Sequence, residues 1–196
     1  MISLATPNQE MLQPHLNTRR RIRITRRRPS TPYLNGYLVG LSSSLGMMHC
    51  FSDFLPDGFT IFRLKDMVSI RCSEYEINFD RMLQQENLLA GLERKHSIDL
   101  KSMETALLST ARQAGIFTVE CEELEKDFSD FFVGKLVSLA NGRLTFDNFN
   151  PLGRWDDKSH HIQEDDITLV HFDSHYVSIF SKYLRGIPAS QRQEEV

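Results

Sequence analysis

The feature that most constrains this chain is that its second half repeats the order of blocks found in its first. Gly36 to Leu41 (GYLVGL) matches Gly134 to Leu139 (GKLVSL), an apolar alternation suited to a half-buried strand. Phe54 to Gly58 (FLPDG) answers Phe149 to Gly153 (FNPLG), where Pro and Gly mark a turn in both copies. Asp66 to Ile70 (DMVSI) answers Asp166 to Val170 (DITLV), and Tyr75 and Phe79 answer Tyr176 and Phe180. The offset between copies drifts from 98 to 95 to 100 to 101, so insertions fall between blocks, where loops tolerate them.

Each copy reads as a strand, a hairpin partner, a Pro/Gly turn, another strand and a short closing strand before a helical turn. A further strand precedes each copy, Arg21 to Thr25 in the first and Ile116 to Cys121 in the second. Five short strands close most readily into a small barrel, which removes exposed edges. The expected fold is therefore mainly β with α (α+β): two five-stranded SH3-like or Sm-like barrels related by internal duplication and joined by a two-helix segment. The implied boundaries are a flexible N-terminus over 1–18, a first barrel over 19–78, a helical connector over 79–115, a second barrel over 116–186 and a flexible C-terminus over 187–196. In the connector, Asn78 is read as the cap of one helix with Phe79, Met82, Leu83 and Leu89 on a face and Gly91 at its end. Asp99 is read as the cap of another, stopped by Gly115.

The stretch Asp130 to Leu139, then Phe149 to Asp156, then Asp166 to Asp173 with Tyr176 following, resembles a group of uncharacterised bacterial proteins with tandem Sm-like barrels. The resemblance spans roughly Arg21 to Leu184 and implies a fold without implying an activity. Where Sm proteins carry a short Arg-Gly or Lys-Gly signature at the RNA pocket, this chain has Ser69-Ile-Arg71 and Leu169-Val-His171 with no Gly following. The uridine pocket and ring assembly of that family are not carried over.

Composition narrows the functional classes. The chain has 196 residues, 40% hydrophobic and 25% charged, which is within the globular range. No run of 18 apolar residues occurs, and an Arg cluster stands where a secretory signal would need an apolar core, so a cytoplasmic, non-membrane protein is expected. Cys50, Cys72 and Cys121 are odd in number and widely spaced, which fits reduced core thiols better than a disulfide framework. The net charge of −3 hides an asymmetry: seven Arg and one acid up to Arg28 give +6, leaving −9 for the rest. Nucleic-acid contact would thus be confined to the Arg segment.

Three constellations could carry function. If Arg21 to Arg26 is a strand, Ile22 and Ile24 face one way and Arg21, Arg23 and Arg27 the other, so that with Arg19 they form a guanidinium row for phosphates. The competing reading is a solvated face or pairing with acids of the body. His171, Asp173 and His175 alternate along a strand, with His160 and His161 upstream, but the segment reads as a solvated strand end, and no metal or other cofactor is expected. Arg154, Trp155 and Asp156 form a loop around the single Trp, either a partner anchor or a lid on its own core. No GxSxG, P-loop, GxGxxG or HExxH appears, and no Cys is placed beside a His as an activated thiolate. The expectation is a non-enzymatic binding or adaptor protein contacting a protein partner. The alternative is a regulatory RNA- or DNA-binding protein using the Arg strand, with Trp155 or Tyr33 for stacking. Homo-oligomerisation stays open.

Overall fold

The computed structural model describes residues 7–28, 30–91, 96–123 and 129–192. These residues form ten strands in chain order: β1 (Ile22–Arg26), β2 (Tyr33–Leu41), β3 (Leu45–Ser52), β4 (Leu55–Arg63), β5 (Met67–Arg71), β6 (Phe117–Glu122), β7 (Ser129–Ala140), β8 (Arg143–Asn148), β9 (His160–Gln163) and β10 (Leu169–Phe172). Among the described residues four short α-helices accompany them: α1 (Pro7–Leu12), α2 (Glu74–Gln85), α3 (Met103–Ala114) and α4 (His175–Phe180).

The strands form one open antiparallel sheet in the order β5-β1-β2-β3-β4-β10-β6-β7-β8-β9. This overturns the expectation of two closed barrels joined by a two-helix segment. The physical reason lies at β4 and β10. Closure would have hidden each of their edges inside its own half; instead the two strands pair with each other, Leu169 opposite Phe62 through Phe172 opposite Phe59. Both strands are also apolar on both faces, as strands in the middle of a covered sheet must be. Phe59 and Ile61 of β4, with Val170 and Phe172 of β10, join the larger core beneath α3, whereas Phe62 and Leu169 join a second core with α1, β1 and β2.

Within that sheet the two halves follow the same path, β5-β1-β2-β3-β4 and β10-β6-β7-β8-β9. Matching positions share detail. Gly36 lies opposite Cys50 and Gly134 opposite Asn148, and the register slips between Leu38 and Gly40 in β2 and between Leu136 and Ser138 in β7. At both glycines a Cβ would meet a neighbouring carbonyl oxygen, that of His49 at 2.0 Å and that of Asp147 at 1.8 Å. Only a residue without a Cβ allows this approach. The β7–β8 hairpin turns on Asn141-Gly142 with φ of 51° and 72°, the two left-handed positions that a two-residue turn requires.

The helices start elsewhere than expected. Ser73 caps α2 through a capping box with Glu76, and Ser102 caps α3 through one with Thr105. Asn78 is inside α2, and Asp99 precedes the α3 cap, accepting a hydrogen bond from the Lys101 amide. Ser prevails over the later Asn78 and the earlier Asp99 because it places its oxygen over the exposed amides of the first turn. α2 packs Leu83 and Phe79 on Tyr37 and Phe51, and α3 buries Met103, Ala106 and Leu107 in the larger core.

The ends are docked where a loose terminus was expected. Residues 7–15 form α1 and a 3₁₀ turn, Leu12 is fully buried, and the Asn17 amide donates to the Leu38 carbonyl. Near the C-terminus Pro188 is buried and Ser190 donates to Asp147. Residues 1–6 and 193–196 of the expected flexible ends lie outside the described residues. Among the described residues no helix is long and apolar enough to cross a membrane.

Candidate functional site

β6 alternates between an apolar and a polar face, and both are covered. Phe117, Val119 and Cys121 face the larger core, while Thr118, Glu120 and Glu122 form a polar row that is also buried. Such a row must find internal partners. Glu122 does so across the sheet: its Oε2 is 2.5 Å from Arg26 Nη2, with both side chains fully buried, and it accepts from the Thr31 amide and the Thr168 hydroxyl. This ion pair ties β1 of the first half to β6 of the second.

Glu120 faces the seam between halves. Its Oε1 lies 2.8 Å from His171 Nε2, and His171 Nδ1 lies 2.9 Å from the Thr60 hydroxyl, which is 3.2 Å from Cys50 Sγ. Burial pushes the Glu120 carboxyl up, but hydrogen bonding and charge from His171, the charge of Arg26 and the Thr31 hydroxyl outweigh it and hold it below its ordinary value. A carboxylate only accepts, so His171 Nε2 donates to Glu120. Burial raises the Cys50 thiol to about 11, so it remains protonated and donates to Thr60. The result is one continuous hydrogen-bonded chain of thiol, hydroxyl, imidazole and carboxylate across β3, β4, β10 and β6.

Above this chain opens a cleft of about 460 Å³. It draws on both halves: Tyr33, Asp53, Asp57 and Thr60 from the first, Glu120, Phe131, His171 and Tyr176 from the second. Three carboxylates, Asp53, Asp57 and Glu120, line it, and among the described residues no Lys or Arg does. Tyr33, Phe131 and Tyr176 form an exposed aromatic rim, the last two edge to face with centroids 6.2 Å apart. Asp57 also accepts the His175 amide, fixing α4 over one side.

The expected site residues are placed as follows. Arg21 and Arg23 do share a face and line a second cleft next to the first, but Arg27 does not continue the row, because the β1–β5 register shifts between Thr25 and Arg26. Arg19 and Arg27 are exposed, whereas Arg28 donates to Asp66 and to the Glu122 carbonyl. Pairing with acids of the body has thus consumed Arg26 and Arg28. Trp155 is buried against Phe149, Val133 and Val177, Arg154 is exposed, and Asp156 accepts from Asn148 and stands 2.8 Å from His160. His171, Asp173 and His175 do not converge: His171 belongs to the Thr60–Glu120 chain, Asp173 faces His96 at 3.4 Å, and His175 is exposed at the start of α4. No group of three metal-ligating side chains occurs among the described residues. Cys72 is exposed, unlike the core thiol expected there, and Cys50 reaches a His through Thr60, a link sequence spacing does not reveal.

No protein-family model, no curated protein and no solved structure matches this chain.

Proposed function

We propose that the protein is a non-enzymatic binding protein whose cleft at the seam takes a Lys or Arg side chain of a protein partner. The observation that carries this reading is the lining: three carboxylates and, among the described residues, no Lys or Arg, under an aromatic rim. A cation entering there gains charge-assisted hydrogen bonds from the acids and lies against aromatic faces, which favour it further as water is excluded. The shared strand order of the halves is read as an internal duplication, and the cleft as a product of joining the copies, since each contributes part of its wall.

A fluorescein-labelled peptide alternating Lys and Gly, titrated into the full chain, should bind, and the same peptide with acetylated lysines should not. Asp53→Asn, tolerated at this turn because Asn accepts a positive φ, and Tyr33→Ala should each weaken binding by about tenfold. Equal binding of the acetylated peptide, or indifference to both substitutions, would remove the proposal.

A further inference from the structure

The second cleft, of about 410 Å³, lies at the outer end of the first half between β1, β2, β5 and α2. Its chemistry is opposite to that at the seam. Arg21, Arg23 and Arg71 line it, against Glu76 and Asp53. Arg23 and Arg71 are directly opposite in the β1–β5 register, an arrangement of like charges that costs stability unless something offsets it. Glu76 offsets part: Arg71 Nε and Nη2 donate to its Oε1 at 2.9 and 2.6 Å, while its Oε2 is occupied by the Ser73 amide and hydroxyl. Arg23 Nε donates to Asn35 at 2.7 Å.

Arg21 is the group left over. It is 93% buried, being 7% exposed, and its guanidinium carbon lies 3.9 Å from the centroid of the Phe79 ring. Its Nη1 is buried and makes no hydrogen bond among the described residues. A buried charged donor without an acceptor is a costly arrangement that calls for an explanation. Asp80 favours the Arg21 charge and accepts the Arg21 main-chain amide and the Tyr37 hydroxyl, but it accepts nothing from Nη1. Three guanidinium groups thus line the cleft, and one of them keeps a donor that no protein group accepts. Beside them Tyr75, with Arg71 at 5.5 Å from its ring centroid, is 77% exposed and so has ring surface open to a planar group.

From this we infer a binding site for a nucleoside phosphate, its phosphate against Arg21 and Arg23 and its base stacked on Tyr75. Guanidinium forks match phosphate oxygens in pairs, and an aromatic face accepts any base. The volume suits one nucleotide better than a length of strand. The same chemistry could arrive as a free mononucleotide or as the 5′-terminal nucleotide of a single strand.

Binding of AMP, adenosine and inorganic phosphate to the full chain should be compared by calorimetry, with Arg23→Gln and Tyr75→Ala chosen because both side chains are accessible and outside the cores. AMP should bind, and loss of the phosphate in adenosine should weaken binding by about tenfold or more. Arg23→Gln should weaken AMP by a similar factor and leave adenosine unaffected, while Tyr75→Ala should weaken AMP but not inorganic phosphate. No AMP binding at about 1 mM, or equal AMP affinity of Arg23→Gln and the unaltered protein, overturns the proposal. A 5′-phosphorylated tetranucleotide identifies the source: affinity equal to that of AMP marks a terminal or free nucleotide, and affinity that rises with strand length and falls steeply with salt marks a strand continuing outside the cleft.

Discussion

Removing the Glu122 carboxylate tests the claim that the two halves are held together through a buried charge pair. In Glu122→Ala, Arg26 keeps its charge with a fully buried side chain, and only the Thr31 carbonyl at 2.8 Å still accepts from it. Breaking one side of such a pair costs about 3–5 kcal/mol, a large share of the about 5–15 kcal/mol that keeps a domain folded. In Arg26→Met the carboxylate retains the Thr31 amide and the Thr168 hydroxyl, so the loss should fall at the lower end of that range. Arg26→Met combined with Glu122→Leu buries no charge and should recover about 2 kcal/mol or more relative to additivity. The Thr31 amide still loses its acceptor, which keeps recovery incomplete. Urea unfolding followed by circular dichroism reads these differences: with a slope of about 2 kcal/mol per molar, the Glu122→Ala midpoint should drop by about 1.5–2.5 M. Single-variant losses under about 1 kcal/mol, or strict additivity in the double variant, would refute the reasoning.

Gly36→Ala and Gly134→Ala should each destabilise by about 1–3 kcal/mol, since the new Cβ would press on the His49 or Asp147 carbonyl; thermal melts unchanged by either would contradict the close approach. Burial raises the Glu76 carboxyl, but the Arg71 side chain and the Ser73 amide and hydroxyl outweigh it and bring it from 4.5 down to about 2. Because the folded value is depressed, its contribution is full above about pH 4.5 and lost as pH falls toward 2; Glu76→Gln should flatten the acid side of the stability curve in that window. At pH 8 a thiol reagent should label Cys72 first, because it is exposed, whereas burial pushes Cys50 up to about 11 and Cys121 up to about 12; mass spectrometry finding Cys121 labelled as fast would count against its placement in the core.

The strands were legible because alternation is a local property. Ile22 and Ile24 in β1, and the apolar positions from Phe117 to Cys121 in β6, show their period within a few residues, and the expected strands at Arg21–Thr25 and Ile116–Cys121 lie within one residue of β1 and β6. Which edges meet was not legible, because a strand able to close on its own half looks the same as one able to join another. The double-sided burial of Phe59, Ile61 and Phe62 was the available signal, since a small barrel wall would have left alternate residues polar. The candidate site was hidden for the same reason: Glu120 and His171 are 51 residues apart and Thr60 and His171 are 111 apart, brought together only by β10 pairing with β6 on one side and β4 on the other. Alternation in β6 did place Thr118, Glu120 and Glu122 on one face, but a polar face reads as solvated, and only the fold covers it. Arg71 was visible as the counterpart of His171 in the matched blocks, yet its position opposite Arg23 depends on the β1–β5 register.

The placement of β10 also sets an order of events at the ribosome. β4 ends at Arg63, and its second neighbour begins only at Leu169. With synthesis at about 5–20 residues per second, roughly 5–20 s pass between the two. During that interval the nascent chain carries β4, with Phe59, Ile61 and Phe62, paired to β3 on one side and open on the other, the kind of edge that recruits other chains. Slow translation after the first half would therefore lower the soluble yield even though the finished protein is unchanged.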